Sequence, residues 1–133
     1  MAFFKFIRMC ALGILLLAIC VTARTERPDF PTDTLEILSY LDSAKSLLYT
    51  NNLESYAFAS RAIALSEENH YPIGSFKGHS IKGGRWWSEM QWDSSLFHYY
   101  KAASIARANG LQESLIGATG NIGFVYTYMN MPD

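Results

Sequence analysis

A forty-residue repeat is the sequence feature that most restricts how this chain can fold. Gly83 and Trp86 recur as Gly123 and Tyr126, in each case a small residue followed three positions later by an aromatic one. A second kind of segment recurs at the same interval, with three matching positions: Ser95, Tyr99 and Ala102 with Ser55, Ala59 and Ala62. A period of this length is typical of stacked helical units. We therefore predict an all-α fold built from antiparallel helical hairpins.

The spacing within the repeated segments has a physical reason. Residues three and four positions apart lie on the same face of a helix. A small side chain lets a neighbouring helix approach, and a large side chain one turn later fills the adjacent groove. The repeated glycine and aromatic pairs therefore predict contacts between helices, and Trp86 and Tyr126 are expected to be packing residues.

These residues resemble the tetratricopeptide repeat (TPR). In that family the first helix of a hairpin carries a Leu-Gly pair and then an aromatic residue. The second helix carries small, bulky and Ala residues at spacings of four and three. The matching segments are Ile122-Gly123-x-x-Tyr126, in part Gly83-x-x-Trp86, and Ser95-x3-Tyr99-x2-Ala102. The resemblance covers residues 35–133 and implies a short TPR-like solenoid, with longer helices or loops than the usual period of thirty-four requires.

One run is similar to a narrower group within this family. Asp42-Ser-Ala-Lys-Ser-Leu-Leu-Tyr-Thr-Asn-Asn-Leu-Glu-Ser-Tyr-Ala resembles the opening repeat of TPR domains in extracytoplasmic sensors of Bacteroidetes-type bacteria. Asp42-Ser43 stands where the Leu-Gly pair would be. The resemblance implies a sensory or scaffolding segment, such as the input part of a membrane-bound histidine kinase or a helix-turn-helix regulator. The chain itself contains no kinase or DNA-binding motif.

Helical spacing of apolar residues divides the rest of the chain. We predict repeat one at 33–70, repeat two at 71–110 and the first helix of a third repeat at 111–133, with helices at 33–49, 53–68, 73–89, 93–108 and 112–129. Asp33 and Glu36 resemble a capping box at the first helix start. Pro72 is expected in the first turn of the third helix, and Gly110 is expected to end the fourth as a left-handed cap. A lone first helix cannot cover its own apolar face. The alternatives are the N-terminal part of a longer protein, a truncated reading frame, or a protomer covered by another surface.

The N-terminal region reads as a secretory signal peptide over residues 1–23, followed by a linker at 24–32 that contains Pro28 and Pro31. Two cations precede an apolar run at 9–21, and Val21-Thr22-Ala23 is a small-residue exit with cleavage expected after Ala23. An uncleaved leader would instead anchor the chain in the inner membrane. A third alternative is lipidation at Cys20, although Ile19 is larger than a lipoprotein processing site prefers.

Charge and cysteine content exclude several classes of function. Both cysteines, Cys10 and Cys20, lie in the leader. A mature chain without cysteine has no disulfide, no thiol catalysis and no Cys-ligated zinc. Removing Lys5 and Arg8 with the leader leaves nine of the eleven basic residues against twelve acidic ones, a net charge of -3. An acidic exported protein is a poor candidate for binding nucleic acid.

No motif predicts catalysis, a metal or a cofactor. The three histidines, His70, His79 and His98, share no helical spacing, so we expect them to be exposed or at helix edges. No Gly-x-Ser-x-Gly turn is present. The glycine-rich segment 74–87 lacks the Gly-Lys-Ser/Thr triplet of a phosphate-binding loop. Its lysines and tryptophans would also suit stacking on single-stranded nucleic acid, but the acidic charge argues against that reading.

The TPR resemblance implies that first helices line a groove that binds a partner. The groove positions are Lys77, Ser80, Gly84 and Trp87 in repeat two and Gly117, Gly120, Phe124, Thr127 and Tyr128 in repeat three. Aromatic and cationic side chains are common hot spots for binding a peptide. The alternative is that Trp87 and Tyr128 only pack against a neighbouring element. The leading hypothesis is an exported protein-interaction module; the others are a structural fragment without its own ligand and a small secreted hydrolase.

Overall fold

The computed structural model describes residues 32–130, which form five α-helices and no strand. The helices are α1 (Thr32–Ser46), α2 (Asn52–Glu68), α3 (Pro72–Ser88), α4 (Trp92–Ala108) and α5 (Gln112–Met129). The prediction of an all-α fold is confirmed for this range. The predicted signal peptide, the two cysteines, Pro28, Pro31 and Asp133 lie outside the described residues.

The helices begin at a constant interval of twenty residues, from Thr32 to Gln112. Three of them also end alike, with a left-handed residue two positions after the helix: His70 (φ 51°), Met90 (φ 56°) and Gly110 (φ 67°). The next amide in each case donates to a carbonyl five residues back, in the pairs Tyr71 to Ser66, Gln91 to Trp86 and Leu111 to Ala106. The sequence predicted this cap only at Gly110, because His and Met do not usually adopt this conformation.

Helix starts have local causes. Asn51 caps α2, because its Oδ1 accepts from the Glu54 amide at 3.2 Å, and its Nδ2 donates to the Glu54 carboxylate oxygen Oε2 at 2.8 Å. Pro72 occupies the first turn of α3, as predicted, where its missing amide breaks no helical bond. Asp33 lies inside the first turn of α1. The predicted helix start at Asp33 is therefore one residue late.

The end of α1 is the largest difference between the predicted and observed helix bounds. The prediction extended this helix to residue 49, whereas it ends at Ser46. The Leu48 amide donates to the Lys45 carbonyl at 3.3 Å and the Thr50 amide donates to the Leu47 carbonyl at 3.1 Å. These bonds span three residues, which tightens the chain into turns that bring Asn51 to the start of α2. The predicted bounds of α5 are the observed ones.

Each helix packs against the next one in the chain, and in addition α1 contacts α3 and α3 contacts α5. The first helices of the predicted repeats therefore lie side by side. Buried apolar residues form three clusters: Ile37, Leu41 and Ala62; Leu96, Tyr99 and Val125; and Ala102, Ala103 and Ala118. This arrangement places one face of α3 and α5 on a common surface.

Two buried serines join the helices of successive pairs. Ser55 Oγ on α2 donates to the Ala44 carbonyl on α1 at 2.7 Å, and Ser95 Oγ on α4 donates to the Gly83 carbonyl on α3 at 2.9 Å. Both serines are fully buried. The serine side chain is short, so its hydroxyl can reach a backbone carbonyl of another helix only where the two helices lie close together. The forty-residue relation between Ser55 and Ser95 therefore corresponds to equivalent positions in the fold.

Candidate functional site

Four aromatic side chains from α3, α4 and α5 form one cluster, called here the aromatic cluster: Trp87, Trp92, Phe124 and Tyr128. Trp87 lies 5.6 Å from Phe124 and 5.7 Å from Tyr128 between ring centroids. Phe124 and Tyr128 lie 4.8 Å apart, and Trp92 lies 6.4 Å from Tyr128. The structure therefore brings together Trp87, Phe124 and Tyr128, three of the predicted groove residues.

The aromatic cluster has a buried side and an open side. The two tryptophans pack against the core formed by Leu96, Tyr99 and Val125. Phe124 is 50% exposed and Tyr128 is 39% exposed. The indole Nε1 of Trp87 is shielded from solvent and has no acceptor within residues 32–130. The core holds these rings in place on one side, and their other side is exposed. They therefore form a preorganised apolar surface that loses little side-chain entropy when it binds a partner.

The other predicted groove residues extend this surface along α3. Lys77 is exposed, and Gly84 is partly exposed. The hydroxyls of Ser80 and Thr127 donate to carbonyls of their own helices, Phe76 at 3.0 Å and Gly123 at 3.0 Å. Gly117 and Gly120 are exposed on α5. Lysine supplies charge on this surface, whereas the two hydroxyls already have partners.

A cleft of about 230 Å³ lies between α1 and α3 next to Lys77. Its lining combines apolar side chains with charged ones: Leu38, Leu41, Asp42, Lys45, Lys77 and Ile81. Among these residues the sequence analysis assigned only Lys77 to the groove, because it did not consider which side chains α1 presents beside α3. A cleft of this composition can hold an apolar side chain while the two lysines attract a nearby carboxylate.

The predicted repeat residues occupy two different environments. Ser95 and Ala102 are fully buried, Tyr99 is 8% exposed, and a Cβ at Gly83 would lie 2.7 Å from the Tyr99 ring. Gly123 instead has nothing within 4 Å of the corresponding point, and Tyr126 is 42% exposed. The structure therefore separates two glycines that the sequence treats as equivalent, and Tyr126 is not packed in the way that the repeat predicts.

Two histidines form a pair that the sequence analysis missed. His79 Nδ1 on α3 lies 3.1 Å from His98 Nδ1 on α4, and His98 is only 7% exposed. The expectation that these histidines are exposed or at helix edges is therefore wrong for His98, whereas His70 is exposed. The two residues lie on opposite sides of the short turn at 89–91, so pairing residues across the hairpin would have indicated their contact.

Burial and neighbouring cations keep this histidine pair neutral. Desolvation, followed by the charges of Lys82 and Lys101, lowers the pKa of His79 to about 4. Desolvation, followed by the charges of His79 and Lys82, lowers the pKa of His98 to about 4. In a neutral pair, one imidazole can donate its Nδ1–H to the unprotonated Nδ1 of the other. Within residues 32–130, no group of three or more His, Cys, Asp or Glu side chains is placed so that it could hold a metal ion.

A second aromatic region lies on the side formed by α2 and α4. A cleft of about 330 Å³ is lined by Tyr56, Trp86, Asp93, Ser94, Phe97 and His98. Lys82 Nζ lies 4.1 Å from the centroid of the Tyr56 ring, and Arg85 Cζ lies 3.8 Å from that of Trp86. Arg85 also pairs with Glu89 at 3.2 Å. Side chains of the chain itself therefore occupy these ring faces, which makes this cleft a weaker candidate for a ligand.

Comparison with protein-family models, with curated proteins and with solved structures gives no match. None of the helices within residues 32–130 is long and apolar enough to cross a membrane. Residues 32–130 define the class as an all-α protein of consecutively packed helices. Any further statement about function depends on the geometry of the sites described above.

Proposed function

We propose that the chain is a TPR-like protein-interaction module whose first helices, α1, α3 and α5, form a groove for a peptide segment of a partner protein. Two observations support this assignment. The hairpins follow one another at a forty-residue interval, and their first helices contact one another. In this proposal the helix pairs form a short solenoid, and the contacts between α1, α3 and α5 define its binding face.

The aromatic cluster is the observation that carries the proposal. The TPR resemblance implies that Trp87, Phe124 and Tyr128 line a groove, and these residues from two helices meet on one surface. Phe124 is 50% exposed even though it lies beside two other rings. Partly exposed aromatic residues that are held rigidly are the usual anchors of a peptide interface.

The charges around the groove favour a peptide with apolar and acidic side chains. Lys45 and Lys77 line the cleft between α1 and α3, where Leu38, Leu41 and Ile81 provide the apolar surface. Asp42 lies in the same lining and restricts where a carboxylate can be placed. A peptide that reaches from this cleft to the aromatic cluster would contact the predicted groove positions on both α3 and α5.

We further propose that the module acts outside the cytoplasm, as the sensory or scaffolding part of a signalling protein in the periplasm or at the membrane. The order of cationic start, apolar run and small-residue exit in residues 1–23 supports export. A mature chain that begins at Arg24 would agree with cleavage, whereas an intact leader would favour the anchored form. A lipid on Cys20 would replace both alternatives.

Selection of binding peptides tests the groove. Peptides from a random phage-displayed library are selected against the full chain, and their affinities for variants are then measured by fluorescence anisotropy. Phe124→Ala should weaken binding at least about tenfold, because truncation of an interface hot spot costs about 2 kcal/mol or more. Trp87→Ala should also weaken binding, but it removes core contacts as well, so its fold must be checked by circular dichroism.

Phe97→Ala is the matched control for Phe124→Ala. Phe97 on α4 is 56% exposed and lines the other cleft, so its removal should leave the affinity unchanged. If Phe97→Ala weakens binding and Phe124→Ala does not, the partner site lies on the side of α2 and α4. If no peptide is selected by a chain that unfolds cooperatively, the proposal of a peptide groove fails.

A further inference from the structure

One stripe of α3 is covered by α4. Phe76 packs against the cluster of Ala102 and Ala103, and His79 contacts His98. The Gly83 carbonyl accepts a hydrogen bond from the Ser95 hydroxyl, and Gly83 faces the Tyr99 ring. Trp86 lines a cleft together with His98. Phe76, His79, Gly83 and Trp86 follow one another at spacings of three, four and three, so they form a single helical face, called here the covered stripe.

Most of the corresponding stripe of α5 is uncovered within residues 32–130. The repeat interval places the covered stripe onto Ile116, Thr119, Gly123 and Tyr126, called here the open stripe. Ile116 is 73% exposed, Thr119 is exposed, and no atom lies within 4 Å of a Cβ built at Gly123. Thr119 Oγ1 donates to the Leu115 carbonyl of its own helix at 2.8 Å, and the Tyr126 hydroxyl lies 3.1 Å from that of Tyr100 on α4.

The opposite side of α5 shows that the two helices are equivalent in packing as well as in sequence. Ala118 packs against Ala102 and Ala103 of α4, as Gly78 packs against Ala59 and Ile63 of α2. Helix α5 therefore lies on α4 in the way that α3 lies on α2. The open stripe continues this established series of interfaces at the position where α4 would follow α3.

The distribution of charged residues limits which kind of partner surface can cover the open stripe. Within Gln112–Met129 the only charged residue is Glu113, whereas α3 carries Lys77, Lys82 and Arg85. A partner surface that brought charges onto the open stripe would bury them without counter-ions, which is costly. An uncharged helical face avoids this cost.

We propose that the open stripe docks a helix of the α4 type whose contacting face is uncharged. This face carries a small residue, an aromatic residue four positions later, and an alanine three positions after the aromatic residue. The template is Ser95, Tyr99 and Ala102, which cover Gly83 in the same register. The aromatic ring of the docked helix lies over Gly123, and its small residue faces the Gly123 carbonyl. This surface adjoins the peptide groove at Thr127, which lies about 40° from Gly123 around the helix, but Phe124, the aromatic anchor of the groove, lies about 100° away.

An extended chain tests this proposal. The sequence of residues 94–110 is appended after Asp133, which lies forty positions after Asp93, so that the added segment keeps the repeat interval. Covalent linkage gives the segment a high effective concentration, which makes even weak docking measurable. Docking should raise the melting temperature followed by circular dichroism by at least about 5 °C relative to the unextended chain.

Matched variants assign the rise to the open stripe. Gly123→Leu fills the space that the aromatic ring of the docked helix would occupy. It should therefore abolish the difference in melting temperature between extended and unextended chains. Gly117→Leu introduces the same side chain on another face, where nothing lies within 4 Å, and should preserve the difference. Replacement of the appended copy of Tyr99 by Ala should also abolish most of the rise. Each variant is compared with its own unextended form, which removes its effect on the stability of α5.

Two results would overturn the proposal. The first is an extended chain that melts at the same temperature as the unextended one, or that gains stability equally with Gly123→Leu. The second is self-association of the unextended chain in sedimentation experiments that Gly123→Leu abolishes, because the occupant would then be a second copy. Neither result depends on Phe124, so loss of the peptide groove and loss of this docking surface are distinguishable.

Discussion

Helices α3 and α5 occupy equivalent repeat positions, yet their glycines have opposite surroundings. On α3, a Cβ at Gly74 would collide with the Ser66 hydroxyl, and a Cβ at Gly83 would collide with the Tyr99 ring. On α5, a Cβ at Gly117, Gly120 or Gly123 would meet nothing within 4 Å. The same residue type therefore permits close helix packing in one helix and leaves a surface open in the other.

This difference shows how packing offsets an unfavourable local sequence. Each glycine inside a helix costs about 1 kcal/mol relative to alanine. In α3 that cost is offset by close approach to α2 and α4, with buried contacts and a serine hydrogen bond to Gly83. In α5 the same cost has no compensating contact within residues 32–130. A partner that covers the open stripe would supply one.

The largest expected effect concerns the ring that covers Gly83. Tyr99→Ala should lower the free energy of unfolding by about 3–5 kcal/mol, because it removes a buried aromatic side chain and leaves a cavity. Tyr100→Ala changes the next residue, which is 49% exposed, and should cost less than about 1 kcal/mol. Urea denaturation of both variants measures the contrast. Equal losses would show that Tyr99 does not stabilise the fold by packing on the covered stripe.

Alanine at the two equivalent glycines tests the comparison between α3 and α5 directly. Gly83→Ala should destabilise the chain by about 1–2 kcal/mol, because crowding against Tyr99 exceeds the gain in helix propensity. Gly123→Ala should stabilise it by about 0.5–1 kcal/mol, because the added methyl group meets open space. The free energies of unfolding should therefore change in opposite directions. A loss of stability with Gly123→Ala would mean that the open stripe is already covered in solution.

A smaller effect than those at Tyr99 and Gly83 is the acid sensitivity that comes from the histidine pair. The pKa of His79 is lowered from 6.5 to about 4 in the folded chain, so the unfolded chain binds more protons at intermediate pH. Stability from this group is present above about pH 6.5 and is lost as pH falls towards 4. Discounted for partial exposure, the loss between pH 7 and pH 5 is about 1 kcal/mol. His79→Gln should reduce this dependence in thermal melts and leave the part that His98, whose pKa is also lowered to about 4, contributes.

The open stripe offers the control for this pH dependence. Thr119 is the residue of α5 that corresponds to His79, and it is exposed. Thr119→His places a histidine where no helix covers it, so its pKa should stay near 6.5 and the pH dependence of stability should not increase. If Thr119→His adds the same acid sensitivity that His79 confers, burial by α4 is not its cause.

Much of the fold was predictable from local sequence, for reasons that individual elements make clear. The bounds of α5 were predicted correctly, and Gly110 and Pro72 marked a helix end and a helix start because their backbone preferences are strong. Met90 and His70 were missed as helix caps, because neither side chain signals a left-handed backbone. The TPR resemblance implied the grouping of Trp87 with Tyr128, which the repeat interval alone does not give because it relates Trp87 to Thr127. The contact between His79 and His98 could be found only by pairing two helices across a turn.

Residue type and spacing by themselves determined the helices, their twenty-residue succession and the faces that recur every forty positions, because backbone propensity and helical periodicity are local properties. Only the tertiary structure decided which of those faces are covered. Gly83 and Gly123 have the same local context, but one lies under Tyr99 and the other faces open space. Burial depends on which helix lies opposite, and that is set by the packing of the whole chain.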